Sequence, residues 1–222
     1  MHTAEKKLSE DAKTRLVRME EALNSDCAVE DCQWMQSALE VLELNRIKRE
    51  DFTAAMSTAM RRGRQKFVNV MLVGRSNCAK TFLLKPLKEI FEDRLFENPA
   101  NDKYGWQGIQ KAQVICLQDF RYNKDTIAWS DFLLLLEGET VKLPTPKNHF
   151  SEDILLDSSN DIPIFATGPS RIEYSKFSPD YEVETEMMDS RWHIFKLTHI
   201  IKKEDQKEII PCKRCFAELV LG

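Results

Sequence analysis

Apolar residues recur at helical spacing through the first 66 residues, with charged residues between them. The two clearest series are Leu8, Leu16, Met19 and Leu23, and then Met35, Leu39, Leu42 and Leu44. Polar residues at 24–26 separate the first series from the second. A third helix is predicted to open near Asp51 and to end at Gly63. Residues 1–66 are therefore predicted to form a helical N-terminal segment.

From residue 67 onward the pattern changes to short apolar runs, which are typical of buried strands. These runs lie at 68–73, 111–119 and 161–170, and an alternating run follows at 192–197. Helices are predicted over 81–96 and 129–138, and Gly138 provides a C-terminal stop for the second. Strands that alternate with helices predict an α/β fold with a central, mainly parallel sheet flanked by helices.

Composition narrows the class of protein. A length of 222 residues leaves room for one α/β domain and a small accessory piece. A net charge of −4 excludes a strongly basic nucleic-acid coat. The N-terminus is polar and no apolar run reaches membrane-spanning length, so no membrane partner is expected. Six scattered cysteines indicate reduced thiols, and we expect an intracellular, nuclear protein.

One stretch has the order of strand, tight loop and helix that a phosphate-binding loop requires. The loop consists of Gly74, Arg75, Ser76, Asn77, Cys78, Ala79, Lys80 and Thr81. Lys80 would reach the β- and γ-phosphates of ATP, and the Thr81 hydroxyl would ligate Mg²⁺. Ala79 stands where the motif has its second glycine, and its methyl group disfavours a positive φ. We therefore expect ATP and Mg²⁺ as ligands of this loop.

The apolar run at 111–119 ends in a carboxylate, Asp119. P-loop NTPases need an acid at the carboxyl end of the strand beside the first one, where it holds Mg²⁺ or its waters. Asp119 fits that role. The alternative is an aspartate that only ends a strand, because turns favour this residue type.

Two groups of cations each have two interpretations. The first lies at the end of the third predicted helix, and the second lies on a turn predicted to project after a strand at 140–143. Their members are Arg61, Arg62, Arg64 and Lys66, and then Lys142, Lys147 and His149. Cations are favoured at helix C-termini and on solvated hairpins. The alternative for both groups is contact with nucleic acid or nucleotide.

The order of these motifs resembles that of the superfamily 3 helicases, most closely the parvovirus-type nonstructural replication proteins, with relatives in mobile elements. Residues 135–143 resemble the motif that begins the DNA-contacting hairpin, and residues 163–167 resemble the sensor strand. Residues 188–198 resemble the segment that carries the arginine finger, at Arg191. The resemblance covers about residues 50–200.

The resemblance implies an AAA+-like P-loop NTPase that acts in replication as a homo-oligomer, a hexameric ring around single-stranded DNA. ATP would be bound by one subunit through Lys80 and Asp119 and approached by Arg191 of the next subunit. The cations on the projecting turn would contact DNA phosphates without reading sequence. The implied units are an oligomerisation segment at 1–66, a helicase core at 67–205 and a C-terminal tail at 206–222.

Three positions depart from the family pattern and leave an alternative function open. They are Ala79, Gln118 where a second acid is usual, and residues 168–170 where the sensor asparagine is usual. ATP binding tolerates such changes better than hydrolysis does. The alternative is a nucleotide- and DNA-binding scaffold module derived from such a helicase.

A zinc-stabilised interaction domain is a further alternative. It would be built on Cys212 and Cys215, the only Cys-x-x-Cys in the chain. Zinc needs about four ligands and this pair supplies two. His193 or His199 could complete the set, although histidines on a strand more often serve packing.

Overall fold

The computed structural model describes residues 13–146 and 153–222, so Lys147 and His149 lie outside the described residues. The helices are α1 (Arg15–Leu23), α2 (Trp34–Leu44), α3 (Arg49–Arg62), α4 (Lys80–Leu84), α5 (Pro86–Phe91), α6 (Trp129–Glu137), α7 (Tyr181–Asp189) and α8 (Lys213–Leu221). The strands are β1 (Asn69–Val73), β2 (Leu95–Phe96), β3 (Val114–Leu117), β4 (Val141–Leu143), β5 (Ile154–Leu156), β6 (Ile164–Gly168) and β7 (Trp192–Lys196). Short 3-10 helices lie at Glu92–Arg94, Ile109–Lys111 and Lys203–Asp205.

The central sheet has five strands in the order β2-β3-β6-β1-β7, and all its pairings are parallel. β1, β3 and β6 are buried along their whole lengths because other elements cover both faces of the sheet. A separate antiparallel hairpin pairs β4 with β5. The predicted α/β fold with a mainly parallel central sheet is confirmed.

Two hydrophobic cores lie on opposite faces of this sheet, because successive side chains of a strand point to opposite faces. Val70 and Leu72 of β1 belong to a core with α1–α5 and α8. Met71 and Val73 belong to a second core with α6 and the β4–β5 hairpin. The helices from both ends of the chain therefore share one core with the sheet.

The helix predicted over 81–96 is wrong in its last residues. α5 ends at Phe91, and Leu95 and Phe96 form edge strand β2 beside Val114 and Ile115. The Phe96 ring stacks on Trp106 with a centroid distance of 5.6 Å. The helix therefore gives way to a short strand, in which Phe96 is half-buried against Trp106.

The predicted helix ends at Gly63 and Gly138 are confirmed. Both glycines are C-caps, of α3 and α6, with φ of 72° and 83°. Such left-handed conformations are accessible to glycine at low cost. Among residues 13–146 and 153–222, none of the helices has the length and apolar character needed to cross a membrane.

Arg64 follows α3 and is 2% exposed although it is charged. Its guanidinium donates to the carbonyl oxygens of Leu135, Glu139, Asp157 and Asn160 at 2.6–3.1 Å. Burial lowers the pKa of Arg64, and the nearby Asp157 and Glu139 carboxylates oppose that shift. Arg64 thus joins the connection after α3 to the end of α6 and to the β5–β6 connection, and it is unavailable to a ligand. The structural interpretation of the first cation group, cations favoured at the end of their own helix, did not predict this role.

Candidate functional site

The predicted phosphate-binding loop leaves the carboxyl end of β1 and enters α4 at Lys80. A Cβ atom added to Gly74 would lie 2.1 Å from the Leu197 carbonyl oxygen, so no larger residue fits at this position. The Gly74 amide also donates to the carbonyl of Gly168 at 3.1 Å. The start of the loop is therefore held between β6 and the residue that follows β7.

The loop turns through two residues in the left-handed region, Asn77 (φ 62°) and Ala79 (φ 60°). A side chain at such a φ costs about 1–2 kcal/mol. A methyl group disfavours a positive φ, and Ala79 nevertheless adopts one. The loop therefore has the backbone that the missing glycine would supply, at some cost in conformational energy.

Lys80 is 6% exposed, and its ammonium is bound within the loop. Its Nζ donates to the carbonyl oxygens of Gly74 and Arg75, both at 2.7 Å. An ammonium carries three donors and rotates freely about its terminal bond. The Lys80 ammonium therefore lies inside the loop, where it can exchange these carbonyls for an anionic ligand.

Asp119 is exposed at the carboxyl end of β3 and has φ of 46°. Its amide donates to the Thr167 hydroxyl at 2.8 Å, and the Phe120 amide donates to the Thr167 carbonyl at 2.8 Å. Thr167, which is fully buried on β6, therefore fixes the direction in which the Asp119 carboxylate leaves the sheet.

Gln118 is fixed through its main chain. Its amide donates to Asn98 Oδ1 at 2.8 Å, and its carbonyl accepts from Asn98 Nδ2 at 2.7 Å. Both residues line a cavity of about 160 Å³, together with Asp119, Arg121 and Asn123. Asn98 and Thr167 hold this turn by contacts to the main chain, and the sequence carried no signal for either role.

The loop and Asp119 both follow the carboxyl ends of parallel strands, but these two strands, β1 and β3, are not neighbours. β6 lies between β1 and β3, with Val73 opposite Gly168 and Leu117 opposite Ala166. The expectation that the acid-bearing strand lies beside the first strand is therefore wrong. Two strand spacings separate β1 from β3 by roughly 10 Å, and Thr167 on β6 fills the interval.

A larger cavity of about 730 Å³ adjoins the loop. Its walls come from the loop, α4, α2 and the segment after β7, and its apolar part consists of Val41, Leu44, Phe82, Ile201 and Ile209. Asn45 Oδ1 accepts from the amides of Thr198 and His199, and the Ile201 amide donates to the Asn77 carbonyl. This volume lies within the range of small-molecule sites. No motif in the sequence predicted it.

Arg191 lies just before β7, at the amino ends of the strands and thus opposite the loop, and it is 3% exposed. Its Nη2 pairs with Glu137 Oε1 at 2.9 Å, and its other nitrogens donate to the carbonyls of Leu133 and Met187. Lys66 Nζ contacts the same Glu137 oxygen at 2.6 Å. The structure thus uses the predicted arginine finger as an internal ion pair that joins β7 to α6.

Lys142 lies on the β4–β5 hairpin with 70% of its side chain exposed. Its Nζ pairs with Asp153 Oδ2 at 3.0 Å. Residues 147–152, which include Lys147 and His149 and come between β4 and β5 in the sequence, lie outside the described residues.

The Cys-x-x-Cys pair is not isolated. Cys212 precedes α8 and Cys215 lies in its first turn, and both thiols meet those of Cys27 and Cys32 from the α1–α2 connection. The four sulfur atoms all lie within 4.8 Å of one another. His193 and His199 are not members of this group. Cys27 and Cys32 were visible in the sequence only as members of a scattered set.

The sheet order, the loop between β1 and α4, and the polar carboxyl edge define a P-loop NTPase fold of AAA+-like type. Searches against protein-family models and against curated proteins found no match. The chain is similar to the apo structure of the NrS-1 C-terminal region (305–718), with a TM-score of 0.53 and 10% identity. A second, A-form apo structure of that region gives a TM-score of 0.52 and 11% identity.

Both similarities cover 90% of this chain but only 44–45% of the NrS-1 chains. This chain therefore spans less than half the length of the structures it resembles. At such low identity the likeness shows the fold alone.

Proposed function

We propose that this chain binds ATP and Mg²⁺ at the carboxyl edge of its sheet and is the core of an ATP-driven DNA helicase or translocase. One observation carries the nucleotide site: the loop from Gly74 to Thr81 and the Asp119 carboxylate both follow the carboxyl ends of strands in one sheet, and a large cavity adjoins the loop. Open α/β sheets bind ligands outside the carboxyl ends of their strands.

The residues at this edge fit both ligands. The loop amides and the Lys80 ammonium would bind the phosphates. The exposed Thr81 hydroxyl and Asp119 carboxylate are oxygen ligands of the kind that Mg²⁺ prefers, and Mg²⁺ keeps several waters in such sites. The apolar walls of the larger cavity suit the base of a nucleotide. The bound ion would neutralise charge on the phosphates.

The residue next to Asp119 limits how a water molecule can be activated for ATP hydrolysis. Gln118 is a neutral amide, which can orient a water molecule but cannot accept its proton. Hydrolysis then depends on Asp119 or on a group supplied by another subunit. We therefore expect ATP to bind even where hydrolysis is slow. Binding of ATP is the better test of the proposed nucleotide site.

The proposal for DNA rests on the resemblance to superfamily 3 helicases. In a ring oligomer, the β4–β5 hairpin would present Lys142, Lys147 and His149 to backbone phosphates. Such contacts are electrostatic and independent of sequence, so their strength falls as salt rises. In this arrangement a chain of net negative charge needs basic residues only on the inner surface of the ring.

A second candidate is a scaffold module that binds nucleotide and DNA without turnover. Two observations favour it: Gln118 replaces an acid, and Arg191 is held inside its own subunit by Glu137. A ring that uses Arg191 across a subunit boundary would first have to break this ion pair.

Steady-state ATPase assays with single-stranded DNA separate the two candidates. The helicase proposal predicts DNA-stimulated hydrolysis that is lost in Lys80→Ala and kept in Lys85→Ala, whose exposed side chain lies outside the loop. Equally slow hydrolysis by the wild type and Lys80→Ala would exclude the enzyme and leave the scaffold.

Size measurements test the ring. We expect a hexamer when an ATP analogue and single-stranded DNA are both present. A monomer under all conditions would contradict a ring for either candidate.

A further inference from the structure

Four cysteines from opposite ends of the chain form one cluster. Cys27 and Cys32 lie in the connection between α1 and α2, and Cys212 and Cys215 lie at the start of α8. All four sulfur atoms lie within 4.8 Å of one another. The Cys215 sulfur is 3.7 Å from that of Cys27 and 3.6 Å from that of Cys32.

These distances distinguish a metal site from disulfides. A disulfide holds its sulfur atoms about 2.05 Å apart, and all four cysteines are free thiols. A tetrahedral zinc ion with Zn–S bonds of about 2.3 Å separates its sulfurs by about 3.8 Å. The four thiolates of an iron–sulfur cluster are divided among two or more iron atoms, so they do not all lie this close together. The observed spacing suits a single tetrahedral ion.

The surroundings of the sulfurs also suit a metal. The backbone amides of Ala28 and Cys215 hydrogen-bond to the Cys212 sulfur, and that of Trp34 bonds to the Cys32 sulfur. Arg214 Nη1 lies 3.7 Å from the Cys27 sulfur. Four thiolates around a dication carry net negative charge, and amide donors and a guanidinium stabilise that charge.

We propose that Cys27, Cys32, Cys212 and Cys215 bind one structural zinc ion. The ligand set is a closed tetrathiolate with no position left for water or substrate, which is typical of structural zinc rather than catalytic zinc. The pairs follow the short Cys-x₄-Cys and Cys-x₂-Cys spacings of zinc ligands. The ion would join two segments whose cysteines, Cys215 and its partners Cys27 and Cys32, are 188 and 183 residues apart in sequence.

The zinc site stabilises the wall of the larger cavity. Trp34, two residues after Cys32, begins α2, and its ring contacts Phe216 of α8 at 5.9 Å and Phe82 of α4 at 5.6 Å. Phe82 and Val41 of α2 line the cavity beside the loop. Loss of the metal would therefore loosen α2 and weaken ligand binding in that cavity. This coupling rests on the proposed nucleotide site, whereas the metal site does not.

Metal analysis of the full chain tests the site directly. Protein purified under reducing conditions, without added metal or a metal-affinity step, should contain about one zinc per chain. Cys27→Ser and Cys212→Ser should lose that zinc. Cys116→Ala, which changes a buried cysteine outside the cluster, should keep it. Absence of zinc from the wild type, iron in its place, or disulfides among the four residues would overturn the proposal.

A spectroscopic test does not depend on the serine variants folding. Cobalt bound to the wild type in place of zinc should give thiolate-to-metal charge-transfer bands and the visible bands of a tetrahedral site. Cys27→His, at a half-buried position, should keep one metal and reduce the charge-transfer intensity by about a quarter, because three of four thiolates remain. An octahedral spectrum, or the same intensity in both proteins, would contradict the assigned ligands.

Chelation supplies a third readout. Zinc removal should lower the melting temperature by roughly 10 °C or more, since binding to the folded chain contributes to folding free energy. Nucleotide binding should weaken along with it if the proposed function is correct. A melting shift without a change in nucleotide binding would support the zinc site and count against the coupling only.

Discussion

Polar side chains have opposite roles at the two ends of the parallel strands of the central sheet, called here the amino edge and the carboxyl edge. At the amino edge, Arg64, Asn69 and Arg191 are buried and their donors are bound to carbonyl or carboxylate oxygens of other elements. At the carboxyl edge, Thr81 and Asp119 are exposed, and Lys80 is bound only to carbonyls of its own loop.

This difference separates stability from function. A buried cation that satisfies several backbone carbonyls cannot leave them without a large loss of free energy. A lysine at a solvent-facing loop can exchange its partners when an anion arrives. Substitutions at the amino edge should therefore reduce stability, whereas substitutions at the carboxyl edge should mainly reduce ligand binding.

Arg64→Ala is expected to have the largest effect on stability. It removes the donor of four carbonyl oxygens, one buried and three partly buried, and we expect the free energy of unfolding to fall by about 3–5 kcal/mol. Urea denaturation followed by circular dichroism measures it. The matched control is Arg62→Ala, an exposed arginine two residues away, which should change stability by about 0.5 kcal/mol or less. Equal effects of the two changes would contradict the structural role of Arg64.

Arg191→Ala tests whether this arginine is a finger or an internal support. Because Glu137 keeps Lys66 as a partner, we expect a loss of about 2–4 kcal/mol in unfolding free energy. Arg171→Ala, at an exposed arginine paired with Asp189 and Glu173, should cost about 1 kcal/mol or less.

A different outcome would assign Arg191 to function rather than to stability. If Arg191→Ala keeps full stability but abolishes DNA-stimulated ATPase activity, the buried ion pair must open in the ring. Arg191 would then be a finger supplied to a neighbouring subunit.

The placement of the Gly74–Thr81 loop between β1 and α4 could be predicted from sequence because its eight residues are contiguous and its strand and helix flank it directly. The place of Asp119 could be predicted only in part. Its distance from the loop depends on β6, which comes 45 residues later in the chain and inserts between β1 and β3. Sheet order is set by long-range packing, which local patterns do not encode.

Thr167→Val should have an intermediate effect. It removes the acceptor of the Asp119 amide from a buried site, and we expect a loss of about 1–2 kcal/mol in stability. Because the Asp119 turn loses its support, Mg²⁺-dependent ATP binding should weaken as well. Titration of a fluorescent ATP analogue at several Mg²⁺ concentrations measures this.

Thr185→Val is the matched control for Thr167→Val. Its buried hydroxyl accepts from the Tyr174 amide at 3.1 Å and not from the Asp119 turn. It should lose similar stability and keep ATP binding. Equal weakening of ATP binding in both variants would mean that general destabilisation, and not the Asp119 turn, is responsible.

Ala79→Gly should have the smallest effect and the opposite sign. Glycine relieves the positive φ but gains freedom in the unfolded chain, so we expect a net stabilisation of about 0.5 kcal/mol. ATP binding should stay equal or improve. Ala54→Gly, inside α3, should instead destabilise by roughly 0.5–1 kcal/mol. A destabilised Ala79→Gly variant would contradict the conclusion that the positive φ of Ala79 strains the loop.

The cysteine cluster and the contacts of Arg191 could not be derived from sequence. Cys212 and Cys215 form a recognisable pair, but their partners come from a loop near the other end of the chain. Arg191 has the sequence context of a finger, and only the packing of α6 against β7 brings Glu137 to its side. In both cases, residues distant in sequence decide the chemistry.

The central claim is that the carboxyl edge binds Mg-ATP through the Gly74–Thr81 loop. Its most direct test is the equilibrium dissociation constant of Mg-ATP for the wild type, Lys80→Ala and Lys85→Ala, measured by calorimetry. We predict binding by the wild type and Lys85→Ala, and affinity roughly 10- to 100-fold lower for Lys80→Ala. No binding by the wild type, or equal affinity in all three proteins, would contradict the claim.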